Sequence, residues 1–170
     1  MEVTTFKDKN GRVWDVSLNF LTVERVSKQT GIDLLSYETQ HTLAAELAVD
    51  DVKLAQTTAA ILEPKLHESG ILPEAFADAI ASGDILADIF HAIAGAIVNF
   101  TRPHRRATVD GLFSKANEAA QAAAGLAEKH LKAGTIDREI EKQLEKLDEQ
   151  LSGKQQPLSE STPESLHSAK

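Results

Sequence analysis

Residues 85–100, ILADIFHAIAGAIVNF, constrain this chain more than any other segment. Ile85, Leu86, Ile89, Phe90, Ile93, Ile97 and Phe100 fall around most of a helical circumference. A helix that is apolar on nearly all sides must be sheathed by other elements. The expected fold is therefore mainly α: a helical domain around this central helix, with a small N-terminal β-hairpin and a disordered C-terminal tail. Hydrophobic residues at 42% are enough for such a core, and aromatics at only 5% make it aliphatic. The longest apolar run, FHAIAGAIVNF, falls well short of the roughly 20 residues a membrane span requires. The polar start, MEVTTFKDKN, lacks the apolar run of a signal peptide. The reading is a soluble, cytoplasmic protein with no membrane partner.

The hairpin is expected over residues 3–6 and 12–18, on either side of DKNG. Asn10-Gly11 is a favoured type I′ pair, because both central positions of that turn need positive φ. Trp14, Val16 and Leu18 share one face of the second arm, with Asp15 and Ser17 on the other. A lone hairpin is marginal in water, so this face should pack as a lid on the helices.

Helical signals follow. Val23 and Val26 recur at helical spacing, Gly31 is placed to end that helix, and Ile32 to make the accompanying apolar contact. A short helix is expected over residues 42–48. Asp50 and Asp51 mark the start of the next, since carboxylates suit exposed first-turn amides. Its inward face is read as Val52, Ala55, Ala59, Leu62 and Leu66, with Gly70 as the stop. Pro64 should kink this helix or end it near Glu63. Pro73 begins a helix carrying Phe76 and Ile80, broken at residues 82–84, and residues 101–103 end the apolar helix. A long helix is expected over residues 104–132, with Val109, Leu112, Phe113, Ala116, Ala120 and Ala123 inward. Ile140, Leu144, Leu147 and Leu151 then alternate in the spacing of a coiled-coil seam. The domain reading is a hairpin plus helical domain over 1–133, an amphipathic helix over 134–151 and a tail over 152–170, biased to Ser, Pro and Gln.

The search for chemistry yields no catalytic set. Glu63 with His67 and Asp88 with His91 could each share a helix face, but a metal site needs three or four converging ligands and HExxH is absent. GxxxxGK[ST], GxGxxG and GxSxG are also absent, and the chain has no cysteine. The expectation is a non-enzyme without cofactor or metal. A net charge of −8 disfavours nucleic acid as a partner. The densest basic concentration is RPHRR, with Arg102, Arg105 and Arg106 at the start of a helix, where cations oppose the dipole. These arginines either contact an acidic or phosphate-bearing partner or pair with the chain's own carboxylates. What remains is an interaction protein, and the expected partner-binding residues are Trp14, Arg102, Arg105, Arg106, Leu144, Leu147 and Leu151. The leucines could equally dock on their own domain.

The segments FKDKNGRVWDVSLNF, VERVSKQTGIDLL, ILEPKLHESGILPEAFADAI and IVNFTRPHRR occur in this order. Together they resemble small proteins of tailed-phage and prophage tail modules, the tail assembly chaperones. The resemblance spans about residues 3–115, and its most specific part is D-x-x-G-R-x-W followed by a helix ending in G-x-D-L. It implies a non-enzymatic cytoplasmic factor that coats the tape measure protein until tail tube protein polymerises around it, with homo-oligomers as a further possibility. The alternatives are a structural or completion component of the tail and a phage-encoded regulatory binding protein.

Overall fold

The computed structural model describes residues 4–36 and 39–132, together with residues 140, 142–144, 146 and 147. The chain divides into two compact units, Met1–Ala124 and Gly125–Lys170. The expected tail, residues 152–170, lies outside the described residues. The fold is mainly helical with a two-stranded antiparallel hairpin at the front.

The hairpin pairs β1 (Thr5–Lys7) with β2 (Val13–Asp15), placing Phe6 opposite Trp14. Its turn differs from the expected type I′. The Gly11 N–H donates to the Asp8 carbonyl at 2.9 Å, so Lys9 and Asn10 are the central residues, and Gly11 follows with φ 76. The cause is Asp8. Its Oδ1 accepts from the amides of Asn10 and Arg12 at 2.9 and 3.0 Å, and its Oδ2 accepts from the Trp14 indole N–H at 3.0 Å. A carboxylate that gathers these donors selects the longer loop over the tight one. Trp14 packs edge-on against Phe76 at 5.4 Å, and the Arg12 guanidinium lies over the indole face at 5.5 Å. The loop also reaches the helical body: the Lys9 amide donates to the Ala79 carbonyl at 3.0 Å and its Nζ to the Asp78 carbonyl at 3.1 Å. The hairpin therefore caps the end of α4 (Pro73–Ile80), besides covering the core.

Helix α1 (Phe20–Thr30) starts on Asn19, whose side chain accepts from the Thr22 amide, and stops at Gly31 with φ 72. Helix α2 (Gln40–Val49) runs into α3 (Asp51–Glu68), where Asp50 accepts from the Lys53 amide at 2.9 Å. The end of α3 is a Schellman motif: Ile71 N–H bonds to Leu66 O, Gly70 N–H bonds to His67 O, and Gly70 has φ 65.

Two expectations for α3 are corrected. Of the two effects expected of Pro64, the end near Glu63 does not occur, and α3 is continuous across it. Proline has no N–H, so the Ala60 carbonyl loses its helical donor. Arg25 of α1 supplies the replacement, with Nε to Ala60 O at 2.8 Å and Nη2 to Ile61 O at 3.1 Å. Glu63 holds the same guanidinium at 3.4 Å. The buried face is also rotated from the expected one: Leu54, Thr57, Thr58, Ile61, Leu62 and Leu66 are inward, while Val52 is 66% exposed.

Helix α5 (Gly83–Phe100) is central, as its composition requires, and Ile89, Ile93 and Ile97 have no exposed surface. Each contributes about 1.5–3 kcal/mol through burial. At 18 residues and mean hydropathy 1.4 the whole helix is long and apolar enough to cross a membrane by length and composition, which the shorter run had not indicated. Half of that window is buried within this fold, packed against β1, α2 and α3. Helix α6 (Pro103–Lys132) buries Val109 and Phe113, the latter 5.9 Å from Phe90. Its inward stripe is shorter than expected: Leu112, Ala116 and Ala120 are half-buried and Ala123 is exposed.

Candidate functional site

The junction of α5 and α6 is built by its own polar residues. Thr101 stops α5, its hydroxyl donating to the Ile97 carbonyl at 2.8 Å and its amide to the Ile97 and Val98 carbonyls. Arg106 turns back on the same helix end, with Nε to Thr101 O at 3.0 Å and Nη2 to Asn99 O at 3.1 Å. A cation at these unpaired carbonyls also meets the negative end of the α5 dipole. This resolves the unfavourable placement expected at the start of α6. Arg106 is a capping residue, and its partners are main-chain oxygens rather than the surplus carboxylates.

Arg102, just before α6, and Arg105, in its first turn, are exposed, with the Arg105 amide donating to Arg102 O at 2.9 Å. Both line a cavity of about 620 Å³ together with Phe20, Leu35, Gln40 and Phe100. Thr101 completes the lining. Phe20 is 78% exposed and meets Phe100 edge-on at 5.2 Å. Gln40, the first residue of α2, is 3% exposed, yet its Oε1 has no hydrogen-bond partner. The sequence signalled the arginines but not their neighbours, because Phe20, Gln40 and Phe100 come from three separate helices.

The other expected partner-binding residues divide. Trp14 is corrected: it is 3% exposed, with both its ring and its N–H committed inside the fold, so it presents no surface to a partner. Leu144 and Leu147 are 60% and 54% exposed, as is Ile140 at 53%. Leu151 lies outside the described residues.

The histidine pairs do not converge. Glu63 binds Arg25 and accepts from Gln29 Nε2 at 3.1 Å, and His67 and His91 are exposed. No group of three or more potential metal ligands occurs among the described residues. Among the described residues, two ionisable groups are displaced from their ordinary values. The Lys28 hydrogen bond lowers Glu24, and the Glu46 hydrogen bond raises Lys53. Neither residue lines the cavity. No family model, curated protein or solved structure matches this chain.

Proposed function

We propose that this chain is a non-catalytic protein-binding factor of the tail assembly chaperone kind, acting in the host cytoplasm on a tape measure protein and, through it, on tail tube protein. The observation that carries the reading is the seam of Ile140, Leu144 and Leu147. These apolar residues stand at 4-3 spacing and more than half exposed, on a chain whose core is already closed around α5. Exposed apolar residues in such a row mark a place for another helix. The resemblance supplies the client: a long amphipathic helix that cannot bury its apolar face before assembly. The net charge of −8 keeps such a binder soluble while its apolar row is unoccupied.

The test is co-expression with a tape measure segment from the same genome. The segment's soluble yield should rise, and the two chains should co-purify and remain together at about 0.5 M salt, where the range of charge contacts is only a few Å. Replacing Ile140, Leu144 and Leu147 with serine should abolish the complex. No complex at any salt with the genuine neighbouring client would sink the chaperone reading.

A further inference from the structure

We infer that Asn10 is a modification site, at which the Gly11 nitrogen displaces the side-chain amide as ammonia, and that Asp8 restrains this reaction while the hairpin is folded. The reaction favours an asparagine followed by glycine, since a side chain on the next residue hinders the close approach of its nitrogen to Cγ. Asn10-Gly11 meets that condition, whereas Asn19, Asn99 and Asn117 precede Phe20, Phe100 and Glu118. Asn10 and Gly11 are both exposed, and the space a side chain would take at Gly11 is open, so solvent base and water reach the pair. A base in solution takes the Gly11 N–H proton. The nitrogen forms a bond to Asn10 Cγ, and the bond from Cγ to Nδ2 breaks as ammonia leaves with a proton from solvent. Water then opens the imide ring at either carbonyl. Opening at Cγ gives aspartate; opening at the main-chain carbonyl gives iso-aspartate, in which the chain runs through the side-chain carbons. Water is consumed, ammonia is released, and nothing is oxidised or reduced.

The folded turn opposes the first step in two ways. The Gly11 N–H is engaged with the Asp8 carbonyl at 2.9 Å, and that bond must break before the nitrogen can turn toward Cγ. The Asp8 carboxylate also accepts from the amides of Asn10 and Arg12, on either side of Gly11. A negative charge forming on the Gly11 nitrogen meets that carboxylate at short range, and Asp8 is only 7% exposed, so water screens it little. The neighbouring cations do not offset it: the Lys9 Nζ is held by the Asp78 carbonyl and the Arg12 guanidinium by the Trp14 ring. Both products place a new carboxylate beside Asp8, and iso-aspartate lengthens the main chain within the turn. The amides that Asp8 gathers then lose their fit, and the hold of the loop on α4 through Lys9 weakens with them.

The site does not depend on the binding role or on the identity of the client. The test incubates the full chain at mildly alkaline pH, folded and in concentrated urea, and follows each asparagine by peptide mapping and mass spectrometry. In urea Asn10 should convert well ahead of Asn19, Asn99 and Asn117. In the folded protein its rate should fall about tenfold or more, the factor set by a hydrogen bond that must first be broken. Asp8→Asn keeps an oxygen acceptor and removes the charge, and it should recover much of the urea rate. Asp50→Ala weakens the fold away from the hairpin and should leave the Asn10 rate unchanged, which separates opening of the turn from general unfolding. Trp14 fluorescence shows whether each variant retains the hairpin, and in the aged parent it should change in step with conversion. No conversion of Asn10 in urea would overturn the site. Equal rates in the folded and unfolded parent would overturn its restraint by the turn, and an unchanged rate in Asp8→Asn would overturn the part assigned to the carboxylate.

Discussion

Removing the Arg25 guanidinium should destabilise the protein chiefly because Pro64 stands in α3. The proline ring crowds the carbonyl four residues back and supplies no N–H to it, so Ala60 O needs an outside donor. Arg25 Nε fills that role at 2.8 Å, from a side chain only 23% exposed. Arg25→Met keeps most of the aliphatic stem and deletes the donors. The cost is one charge-assisted hydrogen bond and an unpaired carbonyl on a residue that is itself buried, about 2–3 kcal/mol in all. Ile61 O loses less, because the Lys65 amide stands in helical register for it.

The decisive comparison is a double-mutant cycle with Pro64→Ala, read by urea unfolding. Alanine at 64 restores the missing N–H, so Arg25→Met should cost about 1 kcal/mol less in that background. Pro64→Ala alone should be neutral or stabilising, because the helix regains an interior hydrogen bond. If Arg25→Met costs the same in both backgrounds, Arg25 does not compensate for the proline, and its contribution is packing or the Glu63 ion pair.

Ile97→Asp should abolish cooperative unfolding or leave the protein insoluble, because an unpaired carboxylate at a site with no exposed surface costs several kcal/mol. Asp50→Ala, which removes only a cap, should cost about 1 kcal/mol, and chemical denaturation of the two variants compares them directly. Asp8→Ala should cost about 3 kcal/mol by orphaning two amides and the buried indole N–H; Trp14 is the sole tryptophan, so its fluorescence reports hairpin loss without a label. Glu46→Gln should return the titration of Lys53 toward its ordinary 10.5. Because the folded state raises that value, the contact's stabilisation is complete below 10.5 and is lost as pH rises through the raised value; an unmoved Lys53 titration in NMR would refute the assignment.

The legible parts of this fold are those in which one residue type has one physical role. Gly31 and Gly70 end helices in the left-handed conformation, as their positions foretold, and the all-round apolar pattern of α5 placed it centrally. Hidden were the cases where a polar group is satisfied by something distant or unconventional. Thr57 and Thr58 did not figure in the expected inward face of α3, yet both are fully buried. In the structure the Thr58 hydroxyl bonds back to Leu54 O at 2.7 Å, making its methyl-bearing side chain a core residue. Pro64 read as a kink or a helix end because its compensator, Arg25, lies in another helix. The cavity was half legible: RPHRR stood out as a charge cluster, but only tertiary structure sets Phe20 and Gln40 beside it.

The pattern D-x-x-G-R-x-W is occupied by folding roles. Asp8 gathers the turn amides and the indole, Gly11 takes the positive φ, Arg12 covers the indole face, and Trp14 is buried against Phe76. Every residue of the pattern has a local folding role, and the hairpin it builds caps α4 through Lys9. A motif wholly occupied in this way specifies a scaffold and carries no recognition of its own. On the binding role proposed above, recognition falls to side chains with weak structural obligations. Among the described residues, Phe20 and Arg102 at the cavity and Ile140, Leu144 and Leu147 along the seam stand exposed in this way. Substitutions there should change what the protein binds while its unfolding midpoint stays within about 0.5 kcal/mol of the parent. Substitutions at Asp8 or Trp14 should instead lower stability, and should lower binding only in proportion to the folded protein lost. A Trp14 variant that stays folded yet loses its client would overturn this division between scaffold and surface.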